Sequence, residues 1–173
     1  MYDQAYVDYL IYFHCERDYF ECHEVLEEHW KKDPPKERKK YWVGLIQIAV
    51  GLYHQRRGNY SGAYRMMSNA INLLEHEKDM LNLLGLQSDE LLNQLKHRKQ
   101  EIFSNQPYHS YNLPIVDKKL QTICNNRCLH ENLTWGKHSD LSNEYLLHKH
   151  IKRDRSEVIT ERELQLKKRH SNK

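Results

Sequence analysis

His23, Glu24, Glu27, Gln47 and His54 are the residues whose types and spacing best suit chemistry in this chain. Neutral imidazole and carboxylate are ligands for zinc, manganese or iron, and helical bundles build such centres from facing side chains. The stretch from Phe13 to Trp30, F-H-C-E-R-D-Y-F-E-C-H-E-V-L-E-E-H-W, holds a dense group of His and Glu. A helix over residues 17–31 turns about 100° per residue. Tyr19, Cys22, Leu26 and Trp30 then form one apolar stripe, and Glu21, Glu24 and Glu28 lie opposite. His23 falls inside the stripe and Glu27 one turn on, at its edge, so the two side chains can touch. Burying them costs energy unless each finds a partner. Gln47 and His54, seven residues apart, share one face of the following helix.

Two readings follow. In the first, His23, Glu27, Gln47 and His54 form a polar centre that fixes helix register through hydrogen bonds. The protein is then a non-enzymatic interaction or regulatory module. In the alternative, His23, Glu27 and His54 hold a divalent transition metal, and Glu24 or a water-bridged Gln47 assists a bound water, as in a metal-dependent hydrolase. The order His23-Glu24-x-x-Glu27 lacks the second His of H-E-x-x-H, which removes the zincin reading.

A second cluster, Cys124-x-x-x-Cys128-x-His130 with His138 nearby, has the ligand types and count for zinc but not the usual C-x-x-C spacing. Its alternative is a set of ordinary thiols. No phosphate-binding glycine loop and no G-x-S-x-G occur, and beyond Cys15 and Cys22 nothing supports nucleophilic catalysis. The Tyr residues, Trp42 and Met66-Met67 read as core.

The elements that must position these residues are helical. Tyr6, Tyr9, Leu10 and Phe13 recur at helical spacing, and Glu16-Arg17-Asp18 predicts a short turn. The helix of His23 must stop before Asp33-Pro34-Pro35. A third helix, about 36–57, is apolar nearly all round from Tyr41 to Tyr53, so it belongs in the middle of a bundle. Gly58-Asn59-Tyr60 is a turn, and a fourth helix spans about 61–77. Ser88 reads as the N-cap of a fifth, 89–103. Asp18-Tyr19-x-x-Cys22 and Asn59-Tyr60-x-x-Ala63 echo each other across 41 residues. The expected fold is therefore all-α: two stacked helical hairpins closed by a fifth helix over 1–103. A linker with a short helix near Val116–Cys124 follows over 104–139, then a basic, largely helical extension over 140–173.

Composition agrees. Of 173 residues 39% are apolar, enough for a core, and six Gly with four Pro favour helix over sheet. Net charge is +3, but the chain from His148 carries nine Lys/Arg against four Asp/Glu, leaving about −2 for the remainder. This tail, with H-K-H-I-K-R-D-R and K-K-R-H, points to a protein or polyanion partner for residues 140–173, nucleic acid included. Asp3 and Asp8 argue against a signal peptide, and the apolar run at 41–53 is too short to cross a bilayer. Four Cys without a leader are expected as reduced thiols in the cytoplasm.

Three blocks in order, D-Y-F-E-C-H-E-V-L-E-E-H-W, G-L-I-Q-I-A-V-G-L-Y-H and G-N-Y-S-G-A, resemble the prokaryotic family catalogued as domain of unknown function number 309. The likeness spans about residues 9–74. It implies an all-helical bundle and a motif of His23, Glu24, Glu27, Trp30, Gln47 and His54. It implies no reaction, and it leaves the chain beyond about Ser104 unexplained.

Overall fold

In a computed structural model, which describes residues 1–152, 164 and 166–169, the chain is all-helical. The described residues contain no strand, only an isolated antiparallel bridge between Leu86 and Ile115.

Helix α1 (Gln4–Ile11) runs on into a π-helical turn, Tyr12–Glu16. Arg17 ends it in the left-handed conformation, φ 53°. Asp18 then starts α2 (Tyr19–Lys31) by accepting a 3.1 Å hydrogen bond from the Glu21 amide, as N-cap residues do. The Pro34-Pro35 stop is followed by one 3₁₀ turn, Pro35–Glu37, so α3 (Lys40–Arg56) begins later than the apolar pattern suggested.

Gly58, at φ +83°, makes the turn that no side chain would enter readily. Asn59 caps α4 (Tyr60–Leu74) through a 3.0 Å bond from the Gly62 amide. The two echoed motifs are thus the same device: Asp18 and Asn59 each cap the helix that follows.

Helix α3 packs on α4 and α2, and α4 also packs on α6. Gly44 lets α3 and α4 approach: a Cβ there would lie 2.5 Å from Leu74 Cδ2. The short α5 (Lys78–Leu83) was not foreseen, and α4 ends at Leu74 rather than near residue 77. Helix α6 (Ser88–Phe103) is capped by Gln87 rather than Ser88, through a 2.8 Å bond from the Glu90 amide.

The expected five-helix closure therefore gains α5, and it also gains cover from the segment read as a linker. Tyr108, Leu113, Leu120, Cys124 and Cys128 are buried in the same core as α1–α6. Gln55 and Arg98, both buried, hold this segment down. Gln55 Oε1 accepts from Arg98 at 3.2 Å, Arg98 donates to the His109 carbonyl at 2.8 Å, and Gln55 Nε2 donates to the Gln106 carbonyl at 3.3 Å. Helix α7 (Lys118–Glu131), longer than the expected 116–124, packs on α1. Buried tyrosines keep their hydroxyls bonded: Tyr6 donates to the Leu84 carbonyl and Tyr9 to the Leu45 carbonyl, each at 2.8 Å.

The chain then returns as a strap over the corner between α1 and α2, ending in α8 (Glu144–Leu147) and α9 (Lys149–Lys152). Arg17, Arg56 and Lys149 fasten it. Arg17 donates to the carbonyls of Lys137 and Tyr111 and to Asn112 Oδ1. Arg56 donates to Ser139 Oγ at 2.9 Å and to the Leu146 carbonyl at 3.3 Å. Of the basic run from His148, Lys149 and His150 thus turn inward. Arg153, Asp154, Arg155, Val158, Ile159 and His170, with the rest of 153–163, 165 and 170–173, lie outside the described residues.

Candidate functional site

The face of α3 that carries Val50 and His54 is not fully covered by its neighbours. Together with α2 and the strap it walls a cavity of about 190 Å³, lined by Tyr19, Phe20, His23, Val50, Tyr53, His54, Arg57 and His150. His23 from α2 and His54 from α3 therefore share one wall-to-wall space. Phe20 and Tyr53 meet across it with ring centroids 6.3 Å apart. His150 stands edge-on to Tyr53 at 5.4 Å, its backbone N–H donates to the Tyr53 hydroxyl at 3.2 Å, and that hydroxyl is also hydrogen-bonded to His150 Nδ1.

His23 is held by carboxylates on its own helix. Nε2 lies 2.6 Å from Glu27 Oε2, and Nδ1 lies 3.4 Å from Glu24 Oε1. Glu24, expected to point away from the site, is 37% exposed yet reaches back to the imidazole of its neighbour. Burial alone would lower the His23 pKa, but the Glu24 hydrogen bond and the charges of Glu27 and Glu24 outweigh it and raise it. Glu27 is shared with Lys31, 2.6 Å away.

His54 has the opposite setting. Burial, then the Arg57, His150 and Arg65 charges, lower its pKa to about 4. Its Nδ1 accepts from Arg57 at 3.1 Å and from Asn59 Nδ2 at 3.4 Å, which leaves the ring proton on Nε2. Arg57 Nε is buried without a hydrogen-bond partner. Gln47 does not line the cavity, and its Oε1 is likewise buried without a partner.

The geometry brings His23 to Glu27 and Glu24, and His23 into the same cavity as His54. It does not close the four into one bonded centre, because each histidine is satisfied by its own helix or turn. Among the described residues, no three His, Cys, Asp or Glu side chains form a group able to hold a metal ion. Cys124 and Cys128 share the buried face of α7, while His130, about 200° round the helix from Cys128, is exposed, as is His138. Cys128 Sγ lies instead 3.1 Å from Cys15 Sγ, and all four cysteines are free thiols. Burial pushes the Cys124 thiol up to about 12 and the Cys15 thiol higher still, so neither is a ready nucleophile.

Several polar residues escaped sequence reasoning. Lys149 Nζ sits 2.6 Å from Asp18 Oδ2 and 3.0 Å from Glu21 Oε1, with Lys149 and Asp18 both buried. His14 is fully buried. Its Nδ1 donates to the Leu10 carbonyl at 2.8 Å, Nε2 accepts from the Leu113 amide at 3.0 Å, and the ring stacks on Trp135 at 4.2 Å. The only signal for these was a charged or polar residue inside an apolar pattern, as at Arg17-Asp18. Tyr19 and Tyr53, read as core, are buried in it and also line the cavity.

Among the described residues no helix is long and apolar enough to cross a membrane. A family model described as "Domain of unknown function (DUF309)" matches residues 6–66, which contain α1, α2, α3 and the start of α4. The uncharacterized protein YpuF of Bacillus subtilis (strain 168) is 50% identical over 169 residues, covering 98% of this chain and 97% of its own length. The likeness to that bacterial protein thus runs through the strap as well as the helices before it. No solved structure matches the chain. By its match to the family model and its half-identity to YpuF over almost the whole length, the chain belongs to the family of domain of unknown function 309.

Proposed function

We propose that the protein is a non-enzymatic regulatory module that binds a small ligand between α2, α3 and the strap, and that residues 140–173 carry the contact with a protein or polyanion partner. The observation that supports this reading is the lining of one cavity by His23, His54 and His150, which come from three separate parts of the chain. A concave, mainly apolar space with a few polar groups is the usual form of a small-molecule site. His150 belongs to the strap, which Lys149 fastens to Asp18, so occupancy and strap position are linked by construction. Catalysis has less support: both ring nitrogens of His23 face carboxylates, and no activated nucleophile lines the cavity.

The test is equilibrium dialysis of the full chain against a small-metabolite extract, read by mass spectrometry. A Val50→Trp variant, which fills the cavity, is the control. Compounds retained by the wild type and released by the variant support the reading. Equal retention by both, with the wild type folded, removes it.

A further inference from the structure

We infer that the cavity between α2, α3 and the strap is specific for a small carboxylate with a flat apolar body. This rests on the reading of that cavity as a ligand site and names the class of ligand.

The walls set the body of the ligand. Tyr19, Phe20, Val50 and Tyr53 present rings and a branched aliphatic chain to the space. The space of about 190 Å³ suits a single ring or a short chain.

The charges set its head group. Three of the polar lining residues add no net attraction for an anion at neutral pH. The proton on His23 is balanced by Glu24 and Glu27. His54 is kept neutral by burial and by the surrounding cations. His150 is engaged with the Tyr53 hydroxyl. Arg57 is different. It lines the cavity, its terminal nitrogen donates to His54 Nδ1 at 3.1 Å, and its Nε–H is buried with no acceptor. Among the described residues no carboxylate pairs with it.

A buried guanidinium donor without an acceptor is a costly arrangement. A carboxylate resolves it, because its oxygens only accept and its single charge matches the one unbalanced cation. His54 contributes a second donor, since the bonds at Nδ1 leave its proton on Nε2. A phosphate carries more charge and a stronger hydration shell than these apolar walls can replace.

The experiment uses the full chain with side-chain NMR of the His and aromatic rings, titrated separately with benzoate, benzamide and inorganic phosphate. Benzoate is expected to shift the His54, Phe20 and Tyr53 rings saturably, with benzamide and phosphate at least ten-fold weaker. Arg57→Gln is expected to weaken benzoate about ten- to a hundred-fold, as the loss of one charge-assisted contact does. Arg57→Lys should recover part of that loss. Arg38→Gln, which removes a cation lying over Trp30 outside the cavity, should change nothing. Unchanged amide spectra show that the variants fold.

Benzamide binding as tightly as benzoate, or benzoate indifferent to Arg57→Gln, overturns the carboxylate assignment and leaves the cavity as a ligand site. Absence of any benzoate shift at the lining rings also overturns the assignment. Failure of the ligand-site reading itself is a separate result, seen when dialysis shows no compound that the cavity-filled variant releases.

Discussion

The ammonium of Lys149 lies 2.6 Å from Oδ2 of Asp18, while Oδ1 of the same carboxylate caps α2 through the Glu21 amide. One side chain near the start of the chain thus starts the helix that bears His23 and anchors the strap that bears His150.

Removing the cation should therefore do more than loosen a surface. Lys149→Met leaves the Asp18 carboxylate buried without its ion, a change that typically costs about 3–5 kcal/mol. Chemical denaturation should show a loss near the lower end, because Glu21 keeps part of the network half-exposed. The His150–Tyr53 contact should be lost at the same time, seen as a change in the His150 ring resonances. A loss below about 0.5 kcal/mol with an unmoved His150 would mean that the strap is held by other contacts.

Acid should destabilise the fold in a window that the histidines define. His14 has its pKa lowered to about 3, chiefly by burial and further by Arg17, against the Leu10 hydrogen bond; His54 has its lowered to about 4. A histidine with a depressed folded pKa is neutral in both states above about 6.5. Below that value the unfolded chain takes up protons that the folded one refuses, so stability falls as pH drops from 6.5 toward 4 and 3. His23, with a raised pKa, acts the other way: its contribution is full below 6.5 and fades as pH rises through its folded value. Two against one, and with His14 fully buried, melting temperature should decline between pH 6.5 and 4. His14→Gln should flatten that slope, and a slope equal to wild type would show that His14 is not its source.

Gly44→Ala tests the packing of α3 on α4. The added carbon would stand 2.5 Å from Leu74 Cδ2 and 2.6 Å from its Cγ, and Leu74 is fully buried with nowhere to turn. Overpacking of this kind costs about 1–3 kcal/mol. Gly58→Ala is a different case: the space there is open, and only the positive φ opposes it. Urea midpoints should rank wild type above Gly58→Ala above Gly44→Ala, and a reversed order would contradict the tight approach of the two helices.

Metal analysis separates the two readings of the His23 group. Both nitrogens of that ring already face carboxylates, and burial keeps Cys124 protonated. Protein purified without a histidine tag should contain transition metal well below one equivalent by elemental analysis. His23→Ala should lower the melting temperature without changing that content. One equivalent of metal, lost in His23→Ala, would reinstate the hydrolase.

The helices were legible because their signals are local: Pro34-Pro35 and the apolar stretch of α3 each act within a turn or two. The caps were not, since Asp18 and Asn59 read only as turn residues and Gln87 takes the place expected of Ser88. The pairing of His23 with Glu27 was legible for the same reason. What was hidden depends on chain returning from far away. Nothing near Lys149 announces Asp18, and nothing near Arg98 announces Gln55, because such pairs form only once the fold has brought distant segments together. The segment 104–139 looked like a linker because its apolar residues are sparse, yet Tyr108, Leu113 and Leu120 suffice to close the core over helices that supply the rest.

The buried link from Gln55 to Arg98 bears on how the molecule can be cut. A fragment cloned to the limits of the family match, 6–66, would keep the glutamine and discard the arginine, along with helices α6 and α7 that pack on α4 and α1. Such a piece would present freshly bared oily surface to its own copies. Bait and crystallisation plasmids should therefore carry the gene at least through the codon for residue 152.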